Sequence, residues 1–273
     1  MISPLCPVCG TPLTTEKPTW KCENQHCFDV ARQGYVNLLT VSQKHSLHPG
    51  DSQVMVAARR EFLNDGYYLP IVETLRRLIS VYAPGAQSVL DVGCGEGYYL
   101  SNLEIVERWG IDISKDAVRF AAVREKNAHW LTATAAHLPF PENCFDIVLS
   151  MFALTAEHEF ARVLKENGIF IQVLAGEHHL TGLKSIIYPT LSEREKTLHP
   201  ILEGFTLLHE ETLCFDFRLE NHEAVQNLLY MTPHAWRISR EGAQALSQTE
   251  QLSDRAEVVF NVYGRQPQGN LLK

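Results

Sequence analysis

Four side chains near the start of the chain have the types and spacing of a metal site. Cys6-Pro7-Val8-Cys9 is a Cys-x-x-Cys knuckle, and after a twelve-residue spacer Cys22 is followed by His26 and Cys27. Tetrahedral zinc takes four soft or borderline donors, and two short loops that each present a pair can supply them. Both His26 and Cys27 stand at a distance from Cys22 that allows a fourth ligand, so spacing leaves the two in competition. Four protein ligands close the coordination shell, which makes such an ion structural. A second set of residues has a different chemistry. Val89-Leu90-Asp91-Val92-Gly93-Cys94-Gly95-Glu96-Gly97 is an apolar strand running into a glycine turn. Such a turn lets backbone approach a ligand at the carboxyl edge of a sheet, beside a helix N-terminus. Asp112 ends the next apolar run, 21 residues after Asp91, where a carboxylate can accept both hydroxyls of a ribose.

These groups need a scaffold, and the hydrophobic pattern predicts one. Residues 1–40 are rich in Cys, Pro, Thr and Gly with little helical period, and QKHSLHPGDS (43–52) reads as a loop ending in the helix N-caps Asp51 and Ser52. Two amphipathic helices follow, in VMVAARREFL and LPIVETLRRLISVY, separated by Asp65-Gly66 and Pro70 and ended by Pro84-Gly85. Beyond them the runs SVLDVG, IVERWGID, HWLTA, FDIVLSM and GIFIQVLA alternate with helical stretches. Strands alternating with helices mean a parallel sheet covered on both faces. The expected organisation is a zinc-binding module over 1–40, a linker with lead-in helices over 41–84, and the α/β domain over 85–273.

Composition sets limits on partners. The 273 residues carry 24 Lys and Arg against 32 Asp and Glu, a net charge of −8, which argues against a general polyanion binder. Residues 1–60 hold six basic and four acidic side chains, +2, so the remaining 213 carry −10. A polyanion would therefore be met by the N-terminal segment, with Arg59, Arg60, His26, His45 and His48, and with the Arg76-Arg77 pair that follows. No run approaches the roughly 18 apolar residues of a membrane span, and the N-terminus lacks a signal-peptide layout, so a cytoplasmic protein without a membrane partner is expected. An odd total of seven cysteines without an export signal favours metal ligation over disulfides.

The turn Asp91-x-Gly93-x-Gly95-x-Gly97 resembles motif I of the class I S-adenosylmethionine-dependent methyltransferases. Leu138-Pro139-Phe140-Pro141 before FDIVLS, and Arg162-Val163-Leu164-Lys165-Glu166-Asn167-Gly168 before a strand, resemble further landmarks of that fold. The resemblance implies a Rossmann-like sheet with helices on both faces. The family often has an acidic residue four positions before Leu-Pro-Phe that meets the adenine amino group; here Thr134 stands there, leaving its hydroxyl or the backbone at Ala135. Taken with the knuckle, the order FDVARQGYVNLL, HPGDS, ARREFL, DVGCGEGYYL and MTPHAWR resembles the bacterial 23S ribosomal RNA guanine-N1 methyltransferases over essentially the whole chain.

That resemblance implies zinc ligands Cys6, Cys9, Cys22 and His26. It also implies cofactor contacts from Tyr68, the Tyr99-Leu100 segment, Asp112 and His179, beside Asp91, Gly93 and Gly95 of the motif. The activity implied is methyl transfer from S-adenosylmethionine to N1 of a guanine in a 23S rRNA hairpin loop of domain II, near the peptide exit tunnel, by a homodimer. Loss of the N1 proton calls for a base or for charge stabilisation at O6. Glu177, His178 and His179 are candidates near the cofactor edge, and no residue is named as catalytic. Unstacking the target calls for an aromatic or guanidinium plane, for which Trp236 and Arg237 are candidates, although an anchor in the core or an interface is the commoner place for a Trp. Ser150-Met151-Phe152-Ala153-Leu154 departs from the relatives in lacking a proline after the fourth strand. The competing readings are a methyltransferase of a small molecule or protein, and a non-enzymatic zinc RNA-binding protein with a degenerate methyltransferase domain.

Overall fold

The computed structural model describes residues 1–15, 18–44, 49–190 and 197–266. His45 and His48 lie outside the described residues. The N-terminal segment forms a three-stranded antiparallel sheet from β1 (Leu13–Thr14), β2 (Thr19–Cys22) and β3 (Cys27–Asp29). β4 (Val36–Asn37) then leaves it and joins the main sheet as an edge strand parallel to a later one.

Two helices lead in. α1 (Gln53–Asn64) starts at Ser52, whose hydroxyl accepts from the Met55 N–H at 3.4 Å, and α2 (Leu69–Tyr82) has Pro70 in its first turn. Both positions spare an otherwise unsatisfied donor. The α/β order continues as β5 (Ser88–Val92), α3 (Tyr98–Ser101), β6 (Glu107–Asp112), α4 (Lys115–Arg124), β7 (His129–Thr132), β8 (Phe145–Met151), α5 (Glu157–Val163) and β9 (Leu164–Ala175). It ends with α6 (Thr181–Ile187), β10 (Phe205–Leu219), α7 (His222–Tyr230), α8 (Arg240–Ser247) and β11 (Leu252–Arg265). The eight strands of the main sheet run in the order β10-β11-β9-β8-β5-β6-β7-β4. From β9 to β4 all pairings are parallel; β11 and β10 are antiparallel.

Those last two strands differ from the all-parallel expectation. β10 alternates exposed and half-buried residues along His209–Arg218, so its charged outer face hides it from a search for apolar runs. Strand alternation also divides the core. Val89, Ile147, Leu149, Ile171 and Val173 pack on one face under α1, α2, α4, α6, α7 and α8. Leu90, Val92, Val148 and Phe170 point to the other, where α5 is joined by the N-terminal sheet through Cys6, Leu13, Trp20 and Cys22. Trp20 meets Trp109 of β6 edge to face at 6.4 Å, and the Leu5 N–H donates to the Pro139 carbonyl at 2.9 Å. The small sheet is thus a lid on the second core. Among the described residues no helix is long and apolar enough to cross a membrane.

Candidate metal centre and cofactor cleft

Two tight turns bring the metal-type side chains together. In the first, the Gly10 N–H donates to the Cys6 carbonyl at 2.8 Å; in the second, the His26 N–H donates to the Cys22 Sγ at 3.3 Å and Gln25 takes a left-handed φ of 63°. The ligand atoms of Cys6, Cys9, Cys22 and His26 all lie within 4.8 Å of one another. Cys9 and Cys22 sulfurs are 3.7 Å apart, and His26 Nδ1 is 3.5 Å from the Cys6 sulfur and 3.4 Å from that of Cys22. Zn–S bonds of about 2.3 Å at tetrahedral angles give an S···S edge of roughly 3.8 Å, so the residues fit a zinc ion. The Thr11 hydroxyl and the Asn24 side chain hold the Cys9 thiol down to about 5, so it is a thiolate, the metal-binding form, at neutral pH. Cys27 is exposed and directs its sulfur to the Gln25 carbonyl at 3.3 Å, away from the cluster. The competition for the fourth position goes to His26.

The second site is a cleft of about 1940 Å³ at the carboxyl end of the parallel strands. The glycine turn forms its floor. Gly93 and Cys94 N–H groups both reach the Ile111 carbonyl at 2.9 Å, and the Gly95 N–H donates to Asp112 Oδ2 at 2.9 Å. Gly93 sits at φ +77°, and a Cβ there would lie 2.5 Å from the Ala153 Cβ, so two independent constraints demand glycine. The other Asp112 oxygen accepts from the Ser114 N–H at 2.8 Å. Each carboxylate oxygen has a further lone pair for a hydroxyl donor.

Asp91 lies directly beneath. It is fully buried, and neither carboxylate oxygen has a hydrogen-bond partner within the protein. Burial, with the nearby Asp112 charge, pushes it up to about 8. An orphaned buried carboxylate calls for a polar partner. S-adenosylmethionine carries an α-ammonium group and a ribose, so the unpartnered Asp91, the glycine floor and Asp112 fit that cofactor.

Of the residues expected here, Tyr68, Gly93, Gly95, Tyr99, Asp112 and His179 line the one cleft, with Thr134 and Ala135. The Leu100 side chain is wholly buried in the core under the α-rich face instead. His179 faces Tyr68 OH with Nε2 at 3.2 Å and the Glu257 carbonyl with Nδ1 at 3.0 Å. With both nitrogens engaged, its ring ties the start of α2 to β11. Glu177 and His178 stand on the same rim.

Four features depart from what sequence suggested or were absent from it. Arg59 belongs to the cleft wall: it pairs with Asp51 at 2.6 Å, donates to the Met231 carbonyl at 3.1 Å, and lies 3.5 Å from where a Gly95 Cβ would stand. Arg60 lies over the Phe120 ring instead. Trp236 is 73% exposed at the cleft, its indole N–H on the Met55 sulfur at 3.2 Å, so it is no core anchor. Tyr188, which no motif contains, joins His234 of MTPHAWR across the cleft at 2.9 Å. From ARREFL, the Arg59 guanidinium reaches the other three segments: Asp51 of HPGDS, Met231 of MTPHAWR and the Gly95 turn of DVGCGEGYYL.

The sheet, the glycine floor and Asp112 define a class I S-adenosylmethionine-dependent methyltransferase with a zinc ribbon at its N-terminus. Residues 5–47 match the family model described as "RlmA, N-terminal", a zinc ribbon, and residues 90–172 match the model "Methyltransferase domain". A Streptomyces fradiae protein named 23S rRNA (guanine(748)-N(1))-methyltransferase is 34% identical over 85% of this chain and 85% of its own length. A Bacillus subtilis relative, YxjB, provisionally named a 23S rRNA (guanine-N1)-methyltransferase, is 31% identical over 89% of this chain and 90% of its own. A provisionally named type II methyltransferase structure from Anaeromyxobacter dehalogenans shares the fold, with a TM-score of 0.53 at 18% identity, covering 71% of this chain and 97% of that one. The chain belongs to the 23S rRNA (guanine-N1)-methyltransferase family.

Proposed function

We propose that this chain transfers the methyl group of S-adenosylmethionine to N1 of a guanine in 23S rRNA. The observation that carries the reading is the convergence of Arg59, the glycine floor and the MTPHAWR segment on one cleft of about 1940 Å³, larger than the cofactor alone needs. When bound, the sulfonium of the cofactor supplies an electrophilic methyl group. The protein's part is then alignment and exclusion of water. In this reading Asp112 would take the ribose hydroxyls, Asp91, buried beneath the glycine floor, would serve the α-ammonium, Thr134 or the Ala135 backbone would meet the adenine, and Tyr68, Tyr99 and His179 would wall the same cleft. Leu100 contributes through packing. The departing N1 proton goes to a group on the rim formed by Glu177 and His178, since both His179 nitrogens are already engaged.

The substrate we assign is a hairpin loop of domain II, held by a homodimer whose two clefts face the RNA. The zinc ribbon closes the second core and leaves the cleft to residues from Gly50 onward, so the RNA register would come from Arg237, Lys184 and Trp236 around its mouth. The test is expression in a bacterial strain lacking its own enzyme of this kind, followed by mapping of N1-methylguanine in 23S rRNA by reverse-transcription stops. A new stop at a single hairpin guanine is expected. No new stop anywhere in the large-subunit RNA contradicts the reading.

A further inference from the structure

We propose that Phe152 is the stacking platform on which the target base lies during methyl transfer; the inference rests on the reading of the cleft as an RNA guanine methyltransferase site. Phe152 directly follows β8 and has a left-handed φ of 55°. Aromatic side chains rarely adopt that conformation, and where they do the surrounding structure must enforce it. Here it is enforced from two sides. The Phe152 N–H donates to the Val173 carbonyl at 2.9 Å, and the next residue, Ala153, is lodged against Gly93 of the cofactor floor.

The result is an aromatic ring turned into the cleft. Its centroid lies 6.4 Å from Tyr68, 6.4 Å from Tyr99 and 6.1 Å from His179, and those three rings are buried. Phe152 itself is 39% exposed. Burial therefore does not account for a phenylalanine at this strained position. Among the described residues, the other non-glycine residues with positive φ are Gln25, in the metal turn, Asn143, in a surface turn, and Leu180, which is fully packed. Phe152 alone among them combines strain with an apolar plane offered to the cleft.

What such a plane would receive follows from the chemistry. A base taken out of its stack for modification loses its neighbours and needs a replacement π-surface. Phe152 is one residue from the glycine floor, so a base lying on it stands beside the loop that would hold the cofactor. Trp236, 73% exposed at the same cleft, is placed for a neighbouring base. An aromatic face accepts any base. Phe152 thus sets position and rate, and the choice of guanine falls to polar groups on the rim.

The experiment compares the zinc-loaded wild-type chain with Phe152→Leu, Phe152→Asn and Phe152→Tyr on 23S rRNA from a strain lacking the modification. Asparagine removes the ring but accepts the left-handed backbone, which covers the case in which the leucine variant misfolds. The rate on RNA should fall about ten- to a hundred-fold in the Leu and Asn variants, the loss of one base–aromatic stack, and Tyr should restore most of it. Calorimetric affinity for S-adenosylmethionine should stay at the wild-type value in all three. Wild-type rates in Phe152→Asn overturn the inference, as does a loss of cofactor affinity that matches the loss of rate. A wild-type chain inactive on the RNA overturns the underlying reading as well, a distinct result.

Discussion

The zinc ribbon and the cofactor cleft solve the same problem, holding a small group with polar side chains, by opposite means. All four ribbon ligands lie within 21 residues, on two turns whose own backbone hydrogen bonds aim them. The cleft draws on Asp51 at one end and Arg237 at the other, with the glycine turn between. The ribbon is local and needs its ion to persist; the cleft is global and is held by the sheet whether or not a ligand is bound. The difference teaches where each region is vulnerable. Removing one ligand dismantles the ribbon, whereas the cleft loses function through small changes that leave its fold in place.

Cys22→Ser should have the largest effect on stability. A structural zinc site contributes on the order of 10 kcal/mol of apparent folding energy to its module, and this ribbon also covers the second core through Trp20 and Leu13. Metal analysis should find the ion lost, and a melting scan should show an early transition for the ribbon. Full zinc content in this variant would break the assignment of ligands.

Gly93→Ala comes next and acts on the other region. A Cβ at φ +77° and 2.5 Å from Ala153 must push the turn off Ile111, costing about 1–3 kcal/mol. Calorimetry should read this as a ten- to hundred-fold weaker affinity for S-adenosylmethionine, with zinc retained.

Asp91→Asn sharpens the comparison by separating stability from binding within the cleft. Asp91 is held protonated to about 8 by burial, then by Asp112, whereas in the unfolded chain it ionises at an ordinary carboxylate pH. Between those values the unfolded state releases a proton that the folded state keeps. The ligand-free protein therefore loses stability as pH rises through that window. Asparagine removes the dependence, so the variant should melt a few degrees higher at pH 8, at about 2–4 °C per kcal/mol, and no higher at pH 4. Its cofactor affinity should fall. An unchanged pH profile would mean that Asp91 has a partner.

Arg59→Lys is the smallest. Lysine keeps the charge but has no fork to span Asp51 and Met231, and a partly exposed pair of this kind contributes about 0.2–1 kcal/mol. A slight drop in melting temperature, with a measurable rise in KM for RNA, is expected.

These contrasts also explain what could be read from the chain alone. The ribbon was legible because its chemistry is spelled in adjacent residues; only the choice between His26 and Cys27 needed the turn geometry that exposes Cys27. The glycine turn and Asp112 were legible because strand, turn and next strand are consecutive. Phe152, the Tyr188–His234 pair and the place of Arg59 were not, since they depend on which distant segments the sheet brings together. β10 escaped for another reason: a half-solvated antiparallel strand such as HEETLCFDFRL carries its signal as alternation, not as an apolar run.

The central claim is that the ribbon is structural and the cleft chemical. Calorimetric titration of S-adenosylmethionine into the wild-type chain, Cys22→Ser and Asp112→Ala tests it most directly. One cofactor per chain should bind to the wild type and with similar affinity to Cys22→Ser, and binding should be lost in Asp112→Ala while its zinc remains. Full binding by Asp112→Ala, or binding abolished by the loss of zinc alone, would contradict it.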